Sequence, residues 1–302
     1  MLAVKNLVVT VVALCLALPL FAWGEKGHYI CSEAATFSLP TDMPTFFYKS
    51  YPELIFLAYD PDRWRGAGDS LDAVNPPDHF LDYEFVSDLD LPPERYKFIA
   101  LLGSSRAMRR HGISNTSTGF LPWKIAEMTE LLTNEFRQWR SAREPERALI
   151  EHDIIHVAGV LGHFAGDASN PHHATINFDG WVMMPNPNHY ATDCDTHQRF
   201  ETRFVSHAIV LDDVTPRLNP PQLRTDYFKS ALDFIRGSNA LVETLYRMDR
   251  DGGFDVFRPV SPQAKEFTAD RLAAGASFIR DLWWSAWKNS SNPPKRRAPP
   301  VD

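Results

Sequence analysis

Residues 163–173 concentrate the side chains of this 302-residue chain that could do chemistry, reading His-Phe-Ala-Gly-Asp-Ala-Ser-Asn-Pro-His-His. Residues four apart on a helix share a face, so His163 and Asp167 would present an imidazole and a carboxylate together. The Asn-Pro pair that follows would end the helix and let His172 or His173 return towards the same place. This donor set is typical of Zn²⁺, which takes nitrogen and oxygen ligands in a small coordination sphere. A hydrogen-bonded His–Asp pair without metal is the alternative.

Three further fragments carry similar donors: His197 with Glu201, the stretch Tyr59-Asp60-Pro61-Asp62 with His79 and Asp82, and Trp23 with His28. The first repeats the four-residue spacing, although an exposed helical pair would look the same. If the chain is cleaved after Ala22, Trp23 carries a free α-amine. Such an amine would bind metal at little cost, because its ordinary pKa is about 7.7–8.0. Four such fragments in one chain are hard to explain as histidines of an ordinary core.

The first 22 residues predict a secretory signal peptide. Lys5 supplies the charge, and Leu7–Leu20 is almost wholly apolar but shorter than the roughly 20 residues that a spanning helix needs. Cleavage after the small Ala22 would make Trp23 the new N-terminus. The prediction is a secreted or periplasmic protein, with an uncleaved membrane anchor as the alternative.

The composition is that of a globular protein, with 44% hydrophobic and 23% charged residues, which argues against disorder, collagen and coiled coil. The net charge of −7 excludes a basic protein that holds duplex nucleic acid by its phosphates. After loss of Cys15, an exported protein could pair Cys31 with Cys194.

Helical periodicity positions these fragments. Helices are predicted along four runs of apolar residues: Ile125 to Phe136 with Pro122 in the first turn, Ile154 to Phe164, Phe228 to Leu245, and Phe267 to Leu282 closed by Trp283, Trp284 and Trp287. The pattern vanishes over residues 58–82 and 170–196, which predicts long loops, and such loops are often functional. The sequence therefore predicts an all-α fold in a single domain over residues 23–288, with a disordered tail over 289–302.

The ordered set of fragments resembles the zinc-dependent phospholipase C family and its relatives, the S-one/P-one type single-strand nucleases. The resemblance implies a mostly helical domain whose long loops form a cleft for three zinc ions. It assigns Trp23 (by its amine and carbonyl) and His28 to one ion, Asp62, His79 and His163 to a second, a bridging role to Asp167, and His173, His197 and Glu201 to the third.

The resemblance implies a secreted zinc-dependent phosphodiesterase. The favoured activity is a phospholipase C that hydrolyses glycerophospholipids such as phosphatidylcholine to diacylglycerol and a phosphorylated head group by metal-activated water. Asp62 would orient or deprotonate that water, and no covalent intermediate is needed. The expected partner is a phospholipid substrate, with transient contact to a membrane surface and no stable protein partner.

A single-strand nuclease acting on single-stranded nucleic acid is the main alternative. Glu201 and the stretch Gly119-Phe-Leu-Pro-Trp123 resemble the phospholipases, whereas the five-residue step from Trp23 to His28 resembles the nucleases. Arg63 and Pro76 stand where an aromatic cage for choline is expected.

Two hypotheses from other functional classes compete with the zinc-dependent phosphodiesterase. Gly-Asp-Ser-Leu at 68–71 matches a lipase-esterase tetrapeptide, but no histidine follows His207, so that reading is set aside. An exported non-catalytic zinc-binding protein would use the same ligands, although a bridging Asp167 favours a hydrolase, which places two metals close together.

Overall fold

A computed structural model describes residues 23–104 and 117–293. Within these ranges the α-helices are α1 (Glu25–Phe37), α2 (Thr45–Lys49), α3 (Tyr51–Leu57), α4 (Asp60–Arg63), α5 (Asp69–Asp72), α6 (Arg95–Ser104), α7 (Leu121–Ser141), α8 (Glu146–Asp167), α9 (Thr196–Gln198), α10 (Val205–Ala208), α11 (Leu211–Val214), α12 (Tyr227–Asn239), α13 (Val242–Arg250) and α14 (Pro262–Asn289). Other helical turns are Pro76–His79, Tyr83–Phe85, Pro171–Ala174, Thr215–Arg217 and the π-helical Arg199–Phe204. No β-strand is formed in the described ranges, so the predicted all-α fold is confirmed.

Helix α8 is the central element of the core. Its C-terminal half is apolar on every side apart from His163 and Asp167, and it is buried on every side and packs against α1, α3, α7 and α14. Gly159 lets α3 approach closely, because a Cβ atom there would lie 2.4 Å from the Leu57 Cβ. The buried half of this central helix ends at Asp167.

The two flanking helices also form where the sequence predicts them. Helix α7 has proline in its first turn and buries one apolar stripe that includes Ile125, Leu132 and Phe136. Helix α14 is joined to α8 by the buried Trp283, whose indole N–H donates to the Ala158 carbonyl over 2.9 Å. The helix ends at Asn289, where the predicted tail begins, and residues 294–302 of that tail lie outside the described ranges.

The predicted helix from Phe228 to Leu245 is in fact two helices, α12 and α13. The break follows Asn239, whose side-chain amide donates to the Ala174 carbonyl over 2.8 Å and to Glu84 Oε1 over 3.0 Å. Apolar residues on both sides of the break are buried, so their periodicity runs across it and conceals it.

Residues 58–82 and 170–196 are largely irregular but contain α4, α5 and short 3₁₀ turns. Cys31 is a free, buried thiol whose sulfur lies 3.4 Å from the Leu272 carbonyl, so it does not pair with Cys194. The predicted signal peptide lies outside the described residues. Among the helices that are described, none combines the length and the apolar character needed to cross a membrane.

Candidate metal centre

The last turn of α8 places two buried donors side by side. His163 Nε2 lies 3.4 Å from Asp167 Oδ2, and both side chains are 0% exposed. The other ring nitrogen of His163 donates to the Ala58 carbonyl over 2.8 Å. This bond fixes the tautomer and directs Nε2 towards the carboxylate.

Two histidines from distant segments converge on the same carboxylate. His28 of α1 places Nε2 3.4 Å from Asp167 Oδ1, and its ring stacks on that of His163 at 3.9 Å. His79, which ends a 3₁₀ turn, places Nδ1 3.0 Å from Asp167 Oδ2. The two oxygens of Asp167 thus face different imidazoles, an arrangement that suits a carboxylate shared between two ions.

Asp62 joins this cluster from α4. Its Oδ1 lies 4.0 Å from His163 Nε2, and one ligand atom each of His28, Asp62 and His163 lie within 4.8 Å of one another. The same limit holds for His79, His163 and Asp167. The neighbouring Asp60 instead pairs with Arg63 at 3.0 Å.

A second group forms where the turn Pro171–Ala174 meets the π-helical segment. Ligand atoms of His173, His197 and Glu201 lie within 4.8 Å of one another. His197 Nε2 is 2.7 Å from Glu201 Oε2, and His173 Nε2 is 3.7 Å from the same oxygen. His172 lies beside this group, with its ring stacked on that of His197 at 5.0 Å.

Trp23 is anchored beside Asp167. Its buried indole N–H is shared between the Gly166 carbonyl and the Ser169 hydroxyl, each at 3.0 Å. The predicted role of its amine and carbonyl as zinc ligands stays a prediction, since the residues before it lie outside the described ranges.

Burial sets the charge state of these groups in the metal-free chain. Removal from water, reinforced by neighbouring positive groups, lowers the pKa of four histidines well below the ordinary 6.5: His28, His79, His163 and His197. Burial, followed by the charge of Asp62, raises the pKa of Asp167 and Glu201 well above their ordinary values. Neutral imidazole is the form that binds metal, and a nearby cation would favour ionised carboxyls.

Several of these donors are buried without a hydrogen-bond partner: His28 Nδ1 and Nε2, His79 Nε2, Asp167 Oδ1 and Glu201 Oε1. Each such atom costs free energy, and native structures contain few of them. Their concentration in one place, in a set made only of imidazole and carboxylate donors, fits the ligand preferences of zinc.

Two supporting residues were missed at the sequence level. The Arg65 guanidinium donates to Asp62 Oδ1 over 2.7 Å, and the three-residue spacing on a helical turn was the signal available. The sequence places Asn170 only at the end of a helix, whereas in the structure its amide donates to Glu201 Oε2 over 3.0 Å. No sequence signal indicates the contact between Asn170 and Glu201, because 31 residues separate them.

The chain has little similarity to known proteins in sequence and a modest similarity in structure. No protein-family profile and no curated protein sequence matches the chain. A solved structure described as alpha toxin from Clostridium absonum is similar, with 14% sequence identity and a TM-score of 0.49 over 91% of this chain and 68% of that one. At this level of similarity, the function has to be argued from the residues of the site.

Proposed function

We propose that this chain is a secreted zinc-dependent phosphodiesterase, and that its most favoured activity is that of a phospholipase C acting on glycerophospholipids. The observation that carries the proposal is the pair of buried His–carboxylate groups that meet at Asp167. His173 Nδ1 lies 3.9 Å from Asp167 Oδ2, so the two groups are neighbours in one centre. A multinuclear centre is what phosphodiester hydrolysis uses to stabilise both attacking and leaving oxygens.

This arrangement and the family resemblance support the following ligand sets. The proposed ligands of the first two ions are Trp23, His28, Asp62, His79, His163 and the shared Asp167. The proposed ligands of a third ion are His173, His197 and Glu201. Zinc would supply Lewis acidity, which polarises phosphoryl oxygens and lowers the pKa of bound water to about 7.

Asp62 is the proposed acceptor of the proton from attacking water. Arg65 binds its Oδ1, which fixes the orientation of a carboxylate that is almost wholly buried. The guanidinium is itself partly exposed, with 20% of its side chain accessible, so it can also face the negative charge of a phosphodiester. These two residues would act by position and charge, without a covalent intermediate.

One observation argues against a choline head group, and the single-strand nuclease therefore stays as the second candidate. The Arg63 guanidinium lies 4.2 Å from the centroid of the Phe56 ring and 5.2 Å from that of Tyr59. A choline ammonium binds to ring faces of this kind, and here the Arg63 guanidinium already lies over both rings. Phosphatidylcholine is therefore not the expected optimum among head groups.

A paired hydrolysis assay tests the proposal. The purified protein, starting at Trp23, is incubated with phospholipid vesicles in one arm and with single-stranded DNA and RNA in the other, each with and without a chelator. Chelator-sensitive release of a phosphorylated head group supports the phospholipase. Chelator-sensitive release of nucleotides alone would replace it by the nuclease. Bound zinc without either activity would favour the non-catalytic zinc-binding protein.

A further inference from the structure

Asn170 is a buried amide that makes two hydrogen bonds in different directions. Its Oδ1 accepts from the backbone N–H of His172 over 3.0 Å, and its Nδ2 donates to Glu201 Oε2 over 3.0 Å. Both bonds are buried, and Asn170 is 0% exposed. Since water cannot replace either bond, each partner depends on this side chain.

The two bonds lead to two different ligand-bearing segments. The His172 amide lies in the 3₁₀ turn Pro171–Ala174, and that turn presents His173. Glu201 lies on the π-helical segment, where Oε2 also faces His197 Nε2. A single side chain therefore connects the segments whose three ligand atoms form the second group.

The bond to Glu201 selects one orientation of its carboxylate. Oε2 receives the Asn170 amide and faces both histidines, while Oε1 has no hydrogen-bond partner. Glutamate has three rotatable side-chain bonds, so holding such a chain in one rotamer costs side-chain conformational entropy. A donor placed beforehand on Oε2 reduces the ordering left for the moment of metal binding.

We propose that Asn170 is a positioning residue for the metal site of His173, His197 and Glu201, acting through its bond to the glutamate. The inference rests on the zinc binding proposed above. Partners of metal-binding carboxylates and imidazoles typically contribute 10–100-fold in metal affinity. Asn170 should therefore determine the affinity of one ion and leave the others unchanged.

Two substitutions separate this role from that of ending the helix. Asn170→Asp keeps an oxygen for the His172 N–H but places a carboxylate against Glu201. Asn170→Ser keeps a short oxygen acceptor for the same N–H, as serine does in local turns. Its side chain is too short to donate to Glu201, and because it is uncharged it does not repel the carboxylate. If the bond to Glu201 matters, both variants should lose affinity for the zinc ion of this site.

The matched control is Asn177→Asp. Asn177 is buried in the same loop, accepts from the Val182 N–H over 2.9 Å and donates to the Thr175 hydroxyl over 3.2 Å. The substitution again keeps the acceptor and removes the donor, with the same added charge. Asn177 contacts none of the proposed ligands through its side chain, so zinc binding should match that of the wild type.

Zinc affinity is measured by titration of each purified, chelator-treated protein against a competing fluorescent chelator, and the number of ions per chain by elemental mass spectrometry. Both Asn170 variants should bind one ion about 10–100-fold more weakly and the rest as the wild type does. Unchanged affinity for every ion, equal weakening of all ions, or the same loss in Asn177→Asp would overturn the inference. A wild type that binds no zinc would instead refute the proposed function. Circular dichroism of the metal-free variants checks folding, and if Asn170→Asp is unfolded, Asn170→Ser alone decides.

Discussion

Replacing Asp167 by asparagine should affect the metal-free and zinc-bound proteins in opposite directions. In the metal-free chain, burial and the charge of Asp62 raise the pKa of Asp167 well above its ordinary value. At neutral pH the unfolded chain ionises this carboxyl freely, so its burial opposes folding, and a neutral amide removes that cost. Asp167→Asn should therefore be at least as stable as the wild type when zinc is absent.

With zinc present the same substitution should be strongly destabilising. An ion that binds only the folded chain adds about 2.7 kcal/mol at a free concentration of 100 times its Kd. Asp167 faces His28 through one oxygen and His79 through the other, so its loss should weaken two ions and remove about 5 kcal/mol. For a domain of this size, that corresponds to a loss of roughly 10–20 °C from the zinc-induced rise in Tm.

Thermal unfolding with and without zinc, at pH 7, measures both effects. The control is Asp281→Asn, which removes another buried carboxylate, one that pairs with Arg280 and Arg224 at 2.8 and 2.9 Å. Its Tm should fall equally in both conditions, because it lies outside the metal centre. A full zinc-induced rise in Asp167→Asn would refute the idea that this carboxylate is shared between two ions.

Three other predictions concern the terminus, the carboxylate proposed to accept the proton from water, and a buried acid. Residues added before a chain that starts at Trp23 should reduce zinc content and hydrolysis, because they remove the amine proposed as a ligand; equal activity would exclude the amine as a ligand. Arg65→Gln should lower kcat/KM about 10–100-fold with zinc content retained, because Asp62 loses its 2.7 Å partner. Steady-state kinetics and zinc analysis measure the two quantities, and an unchanged kcat/KM or a loss of zinc would contradict the prediction. Asp82→Asn should raise the free energy of unfolding in urea at pH 7, because burial and then the charge of Glu84 raise the pKa of Asp82 well above 3.8. Such a group contributes stability below pH 3.8 that is lost as pH rises through its folded pKa, so the gain should shrink towards pH 4, and a gain independent of pH would contradict the reasoning.

The long helices could be predicted from the sequence because each buries a stripe or a whole surface of apolar residues. Helix α8 is the clearest case, since its C-terminal half is buried throughout and apolar apart from His163 and Asp167. The short helix α5 could not be predicted in this way, because it buries none of its residues and leaves no periodic pattern. The break between α12 and α13 depends on the contacts of Asn239 with Glu84 and Ala174, which lie far away in the sequence.

The candidate site shows the same division. Helix geometry alone predicts that His163 and Asp167 lie together, and the structure places them 3.4 Å apart. The neighbouring positions 172 and 173 stay open from spacing alone, and only the packing of the turn separates a ring that stacks on His197 from one that faces Glu201. The contact of Asn170 with Glu201 likewise requires the folded loops.

The geometry of the centre depends on the backbone of the loop over residues 58–82. The Ala58 carbonyl accepts from His163 Nδ1, and the His79 carbonyl accepts from His173 Nδ1 over 2.6 Å, so this loop directs the opposite ring nitrogen of two histidines from other segments. The loop is in turn fixed to its surroundings by the buried Asp78, which accepts from Arg95 at 2.6 Å and pairs with Lys124 of α7 at 3.2 Å. Because the carbonyls that orient these imidazoles are backbone groups, side-chain substitutions cannot remove them directly. Substitutions that displace the loop, such as loss of Asp78, should therefore weaken metal binding at both groups of ligands together, whereas loss of Asn170 should weaken only one.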